Sequence, residues 1–112
     1  MPQFEYIEWL ERFLDQLVFY FDWDPGNNLK SIYKHNVALN ESEEVFYDEN
    51  IFILGIQKQP ITSEMRLAII GSTSNNKILF ISFTIRDSRI RIISARPASK
   101  KERRHYEEKK IC

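Results

Sequence analysis

A chain of 112 residues, 43% hydrophobic and 13% aromatic, is enough for one domain with a modest core, too short for two, and too apolar to stay disordered. No apolar run approaches the ~20 residues that a membrane-spanning helix requires, and the lone Cys112 can form neither an internal disulfide nor a cysteine-based metal site. The 16 basic and 16 acidic residues cancel overall but are segregated: residues 1–85 hold six Lys/Arg against twelve Asp/Glu, net −6, and residues 86–112 hold ten against four, net +6.

A positive pole on an acidic body suits a protein that draws a polyanion to one face, or one that is neutralised by a partner. The start, MPQFEYIEWLE, is acidic and amphipathic, unlike a secretory signal or transit peptide. A cytoplasmic protein with no membrane association is therefore expected.

Phe4, Ile7, Leu10, Leu14 and Leu17 recur at helical spacing, with Trp9 and Phe13 broadening the stripe, so residues 1–20 read as an amphipathic helical segment. Residues 18–23, VFYFDW, switch to β-rich composition and predict a short strand. Asp24 and Pro25 then form a helix start, aspartate capping free N–H groups and proline giving up a donor that would go unpaired. That helix runs to about Lys34, with His35 and Asn36 at its end. Asn40 and Glu43 resemble a capping pair for a second short helix, in which Val45 and Phe46 supply the buried contacts.

Strands follow at residues 51–56, 65–73, 77–86 and 89–96. Ser74, Asn75 and Asn76 make one turn, Asp87 and Ser88 a tighter one. Pro97 closes the last strand, and Ser99 with Glu102 forms a capping box for a final helix. Hairpin-linked strands with helices at the ends give an α+β fold: one domain over 1–112, with a mainly antiparallel sheet of about four to five strands.

Alternation sorts the last hairpin into faces. Leu79, Ile81, Phe83, Ile85, Ile90 and Ile92 form a core face; Ser82, Thr84, Arg86, Arg89 and Arg91 form the other. A three-residue loop before Lys77 adds Arg66 beside Thr84, whereas a two-residue loop would bury its charge in the core. Arg96 falls on the nominally apolar face at the strand's end, where it either meets an acidic partner or serves a ligand. Guanidiniums gathered on one sheet face need a polyanion or nearby carboxylates, Glu64 among them. An RNA phosphate cradle and a solvated polar face both fit this pattern.

The combination of WDPGNNLKSIYKHNV (23–37), EEVFYD (43–48), MRLAIIGSTS and LFISFTIRDSRIRIISARPASKKERRHYEE resembles the BrnT family of type II toxins over about residues 21–108. The resemblance implies a RelE-like fold and an endoribonuclease that cleaves RNA and inhibits translation. It also implies a ribbon-helix-helix antitoxin, BrnA-like, in a two-plus-two heterotetramer that reaches operator DNA only through the antitoxin. Lys34, His35, Glu64, Arg66, Arg86, Arg91 and Arg96 stand at the family's polar motif positions, and Arg103, Arg104 and Tyr106 match its C-terminal helix. The first twenty residues are an extension.

On this reading Arg66, Arg86 and Arg91 stabilise transition-state charge, and His35 moves the proton with Glu64 as the alternative base. Lys34, Arg89, Arg96, Arg103 and Arg104 hold RNA. Structural roles compete for several of them. His35 and Lys34 would satisfy carbonyls at a helix end, Glu64 would pair with Arg66 or Arg86, and the final helix, with Arg103/Glu107 and Arg104/Glu108 at i,i+4, would be a solvated surface. No metal or other cofactor is indicated, because His35 and His105 lack a ligand-spaced carboxylate or cysteine set. The alternative function is a catalytically inactive module that binds antitoxin or RNA in operon repression.

Overall fold

The computed structural model describes residues 4–22, 37–58 and 65–111. A five-stranded sheet runs in the order β1 (Phe4–Glu5), β2 (Phe52–Gln57), β3 (Leu67–Ser72), β4 (Ile78–Arg86), β5 (Arg89–Pro97), with every neighbouring pair antiparallel. Helix α1 (Glu8–Leu14) and helix α2 (Leu39–Glu44) precede β2, and α3 (Lys100–Ile111) follows β5. The α+β class and antiparallel sheet are those expected from the sequence. The helix expected between Asp24 and Lys34 lies outside the described residues, as do His35 and Glu64.

The N-terminal segment is not one helix. Phe4 and Glu5 pair with Gln57 and Ile56 as an edge strand, and among the described residues of this segment only Glu8–Leu14 is helical. Phe4 leaves the supposed stripe because its ring packs 6.3 Å from that of Phe80, on the far face of the sheet. Leu17, the other end of that stripe, is 92% exposed. Of the strand expected at residues 18–23, the described residues 18–22 make a single parallel bridge, between Phe21 and Ile90, with Asp22 N–H donating to Ile90 O and Ile90 N–H to Tyr20 O.

Helix α2 starts earlier than its sequence suggested. Its cap is Ala38, whose N–H donates to the Glu41 carboxylate at 3.0 Å, so Glu41 takes the role expected of Glu43. Glu41 also pairs with Lys77 at 2.8 Å. The Lys77 contact and the Ala38 N–H hold its carboxyl below the ordinary range.

The core lies on the face formed by Leu67, Ile69, Leu79, Ile81, Phe83, Ile90, Ile92 and Ala95. Leu10, Phe19, Val45 and Phe46 cover it, the Phe46 ring meeting Phe83 edge-on at 5.0 Å. Each such fully buried side chain contributes about 1.5–3 kcal/mol. On the opposite face Leu54, Ala68, Ile70 and Phe80 form a smaller cluster, covered by Tyr106 of α3.

Gly55 makes the docking of β1 possible. Its φ is +110°, and a Cβ there would meet the Glu5 carbonyl oxygen at 2.0 Å. Gly55→Ala should therefore expel β1 and destabilise the fold by about 2 kcal/mol or more, read as a lower urea midpoint.

Candidate nucleic-acid interface

The turn that sets the β4–β5 register is two residues long, with Asp87 at φ 52° and Ser88 at φ 64°. Positive φ at both central positions is the hairpin turn whose twist matches that of the strands it joins. Arg86 therefore faces Arg89, Ile85 faces Ile90 and Thr84 faces Arg91. On the other side of β4, Thr73 N–H donates to Lys77 O across the Ser74–Asn76 loop, and Leu67 pairs with Phe83. One step further along that ladder Arg66 stands beside Thr84, in the register that a three-residue loop requires.

Arg66, Thr84 and Arg91 thus make a row across three strands, spanning about 10 Å at ordinary strand spacing. Thr84 is 3% exposed and Ser82 6%, although both belong to the polar face. The Nε atoms of Arg66 and Arg91 are likewise shut off from solvent. The Nε of Arg66 has no hydrogen-bond partner among the described residues. Donors that can serve a ligand here are accordingly the terminal guanidinium nitrogens. Arg86 and Arg89, both exposed, extend the positive surface to the hairpin tip.

Arg96 does not lie on the apolar face. The ladder shifts by one residue between Phe83, paired with Ile92, and Ser82, paired with Ser94. Ile93 is the extra residue of this bulge, and every later side chain of β5 changes face. Arg96 consequently sits over the Phe80 ring, with Cζ 4.2 Å from its centroid. Its two terminal nitrogens donate to the two Glu102 oxygens, each at 2.8 Å, and Nη1 also donates to Pro97 O at 3.2 Å. An acidic partner is what Arg96 has found.

Glu102 also completes the expected capping box. Ser99 N–H donates to its carboxylate at 2.8 Å, and Glu102 N–H donates to Ser99 Oγ at 3.2 Å. Burial pushes the Glu102 carboxyl up, but Arg96 and the Ser99 N–H outweigh it, leaving the group below the usual carboxylate range.

The remaining cations of α3 belong elsewhere. Arg103 and Glu107 line a groove of about 540 Å3 with Val37, Lys77, Ile78 and Pro97, at the start of β4. Arg86 ends that nine-residue strand, about 25 Å away at the usual rise per residue. Arg104 is exposed on the same helix, and His105 stacks on Phe52 with ring centroids 5.4 Å apart. So the structure brings Arg66, Arg86, Arg89 and Arg91 together, commits Arg96 to Glu102, and separates Arg103 from the cluster. Lys34, His35 and Glu64 lie outside the described residues.

Two features were missed from the sequence. Asp48 accepts from the Tyr106 hydroxyl at 2.6 Å, from Ser72 N–H at 2.8 Å and from Asn50 N–H at 3.0 Å. Burial and this carboxylate push the Tyr106 phenol well above its ordinary value. The second is that residues 20–22 lie beside β5, which places Tyr20 and Asp22 at the edge of the arginine face. The alternation in VFYFDW carried that signal. Among the described residues no group of three His, Cys, Asp or Glu side chains is arranged to hold a metal ion, and no helix is long and apolar enough to cross a membrane.

A family model described as "Ribonuclease toxin, BrnT, of type II toxin-antitoxin system" matches residues 23–102. The chain is similar in fold to the 1.1 Å crystal structure of the Brucella abortus ribonuclease toxin BrnT, with a TM-score of 0.53 and 22% identity. That match covers 74% of this chain and 100% of the other. No curated protein matches the chain.

The lowered Glu102 carboxyl contributes stability that is present above its unfolded pKa, about 4.3, and lost as pH falls through the folded value. Glu102→Gln should cost about 1.5–3 kcal/mol at pH 7 in urea unfolding. The gap to the native chain should narrow as pH falls below about 4.3 and close only once the folded carboxyl, held lower still, is also protonated.

Proposed function

The chain belongs to the BrnT family of ribonuclease toxins of type II toxin–antitoxin systems, and we propose that it is itself a metal-independent endoribonuclease that inhibits translation until an antitoxin binds it. The observation that carries this reading is the Arg66–Thr84–Arg91 row with Arg86 and Arg89 beside it, on the half of the sheet face that α3 leaves uncovered. Four guanidiniums gathered on one surface make a positive face suited to a chain of phosphates, whose oxygens match the arginine fork.

Cleavage would use the RNA's own 2′-hydroxyl. Its oxygen attacks the adjacent phosphorus as a base takes its proton; the bond from phosphorus to the 5′-oxygen breaks, and an acid protonates that oxygen. The products are a 2′,3′-cyclic phosphate and a free 5′-hydroxyl. Arg66, Arg86 and Arg91 stabilise the extra negative charge of the phosphorane, and such charge stabilisation usually lowers the barrier more than any other single effect. His35 is assigned the proton transfer because its ordinary pKa lies nearest neutrality, with Glu64 as the other base. Arg89 and Lys34 hold the RNA backbone. Arg96, on the same side of the sheet, is committed to Glu102 and Phe80, and Arg103 lines a separate groove.

The neutralising partner on this reading is a ribbon-helix-helix antitoxin in a two-plus-two assembly, through which alone the complex reaches operator DNA.

End-labelled RNA incubated with the purified chain in excess EDTA should be cut, and the Arg86→Ala/Arg91→Ala double variant should be slower by at least about 100-fold. Absence of cleavage by the folded native chain would instead favour an antitoxin-binding module without catalysis. RNA affinity should also fall with salt. Four phosphate contacts on a single strand give a slope of about −3 in log K against log salt, and each arginine removed reduces it by about 0.7.

A further inference from the structure

Phe19 and Phe21 point into the core, Phe19 being 7% exposed and Phe21 lying edge-on to Phe46 with centroids 5.5 Å apart. In extended chain the residue between them projects to the opposite side. That residue is Tyr20, 66% exposed. Its backbone is fixed, because Tyr20 O accepts from Ile90 N–H at 2.8 Å and Asp22 N–H returns to Ile90 O at 2.8 Å. Phe21 pairs with Ile90 in parallel sense, so the two share the core face. Tyr20 and Asp22 then share the other face with Arg89 and Arg91, Tyr20 neighbouring Arg89 at a strand spacing of about 4.8 Å.

An exposed aromatic ring held against solvent at the rim of a cationic surface has no use in the core. The Tyr20 ring stacks on no other ring among the described residues, and its hydroxyl has no hydrogen-bond partner there. Single-stranded RNA is gripped by this pairing: cations track the phosphates while aromatic faces take the bases. We propose that Tyr20 is a base-stacking subsite for single-stranded RNA, receiving the base of a nucleotide whose phosphate lies on the arginine face. This deepens the ribonuclease reading above and rests on it. It also gives the N-terminal extension a part in substrate binding, since Tyr20 precedes the stretch that the family model matches.

The test compares two probes: a 2′-O-methyl oligoadenylate, which cannot be cleaved, and a 2′-O-methyl ribose-phosphate chain of the same length without bases. Tyr20→Ala should weaken oligoadenylate binding about tenfold or more, leave binding of the baseless chain unchanged, and be largely restored by Tyr20→Phe. Oligoadenylate binding that survives Tyr20→Ala but falls in Arg86→Ala/Arg91→Ala would overturn the stacking subsite while leaving the RNA surface standing. Equal loss of both probes in Tyr20→Ala would also overturn it, as damage to the surface rather than loss of a stack. Failure of the native chain to bind either probe would remove the ribonuclease reading and the subsite together.

Discussion

Two backbone facts about the β4–β5 ladder decide where the arginines stand. Asp87 and Ser88 close it with a turn of fixed length, so Arg86, Arg89 and Arg91 share a face with Thr84. Further along β5, Ile93 enters as a bulge and moves Arg96 from the core face to the opposite one. Without the bulge a guanidinium would be buried among isoleucines, which a single charge does not tolerate. With it, the same side chain covers Phe80 and reaches a carboxylate. A change of one residue in register would invert both faces, so the ladder carries the site as well as the fold.

The second face of the sheet is divided between two uses. Toward the start of β4 it is apolar and lies under α3, a helix with little hydrophobic surface beyond Tyr106. Such a helix needs specific attachments. Tyr106 supplies one by donating to Asp48, and Arg96 with Glu102 supplies another at the first turn. Lys109 adds a third by donating to Ile51 O. Toward the hairpin tip the face is cationic and uncovered by the helix. The apolar half therefore anchors the helix, and an arginine at the boundary belongs to that anchor.

Residues 4–22 cover both edges of the sheet. Phe4 and Glu5 pair with β2, and Phe21 bridges to β5. Exposed strand edges invite pairing with other chains, so one segment that closes both has a plain value for solubility. Between these contacts Leu10 and Phe19 enter the core, which ties the segment to the sheet it encloses. Its second contact also carries Tyr20 to the rim of the arginine face.

By itself the sequence determined whatever depends on neighbours along the chain: the period-two strands, the tight turn, the capping box of Ser99 and Glu102, and through alternation the common face of Arg66, Arg86, Arg89 and Arg91. It also carried enough spaced motif to mark the family. It misplaced what depends on contacts between distant segments. Phe4 left its helical stripe for Phe80, Glu41 rather than Glu43 capped α2 because Lys77 and Ala38 both reach it, and Arg96 changed faces at a bulge with no local signature. Asp48 looked like one acid among many until Ser72, Asn50 and Tyr106 converged on it. Periodicity and capping are settled within a few residues, whereas a buried charge takes whichever partner the folded chain brings within hydrogen-bond reach, and only the tertiary structure decides that.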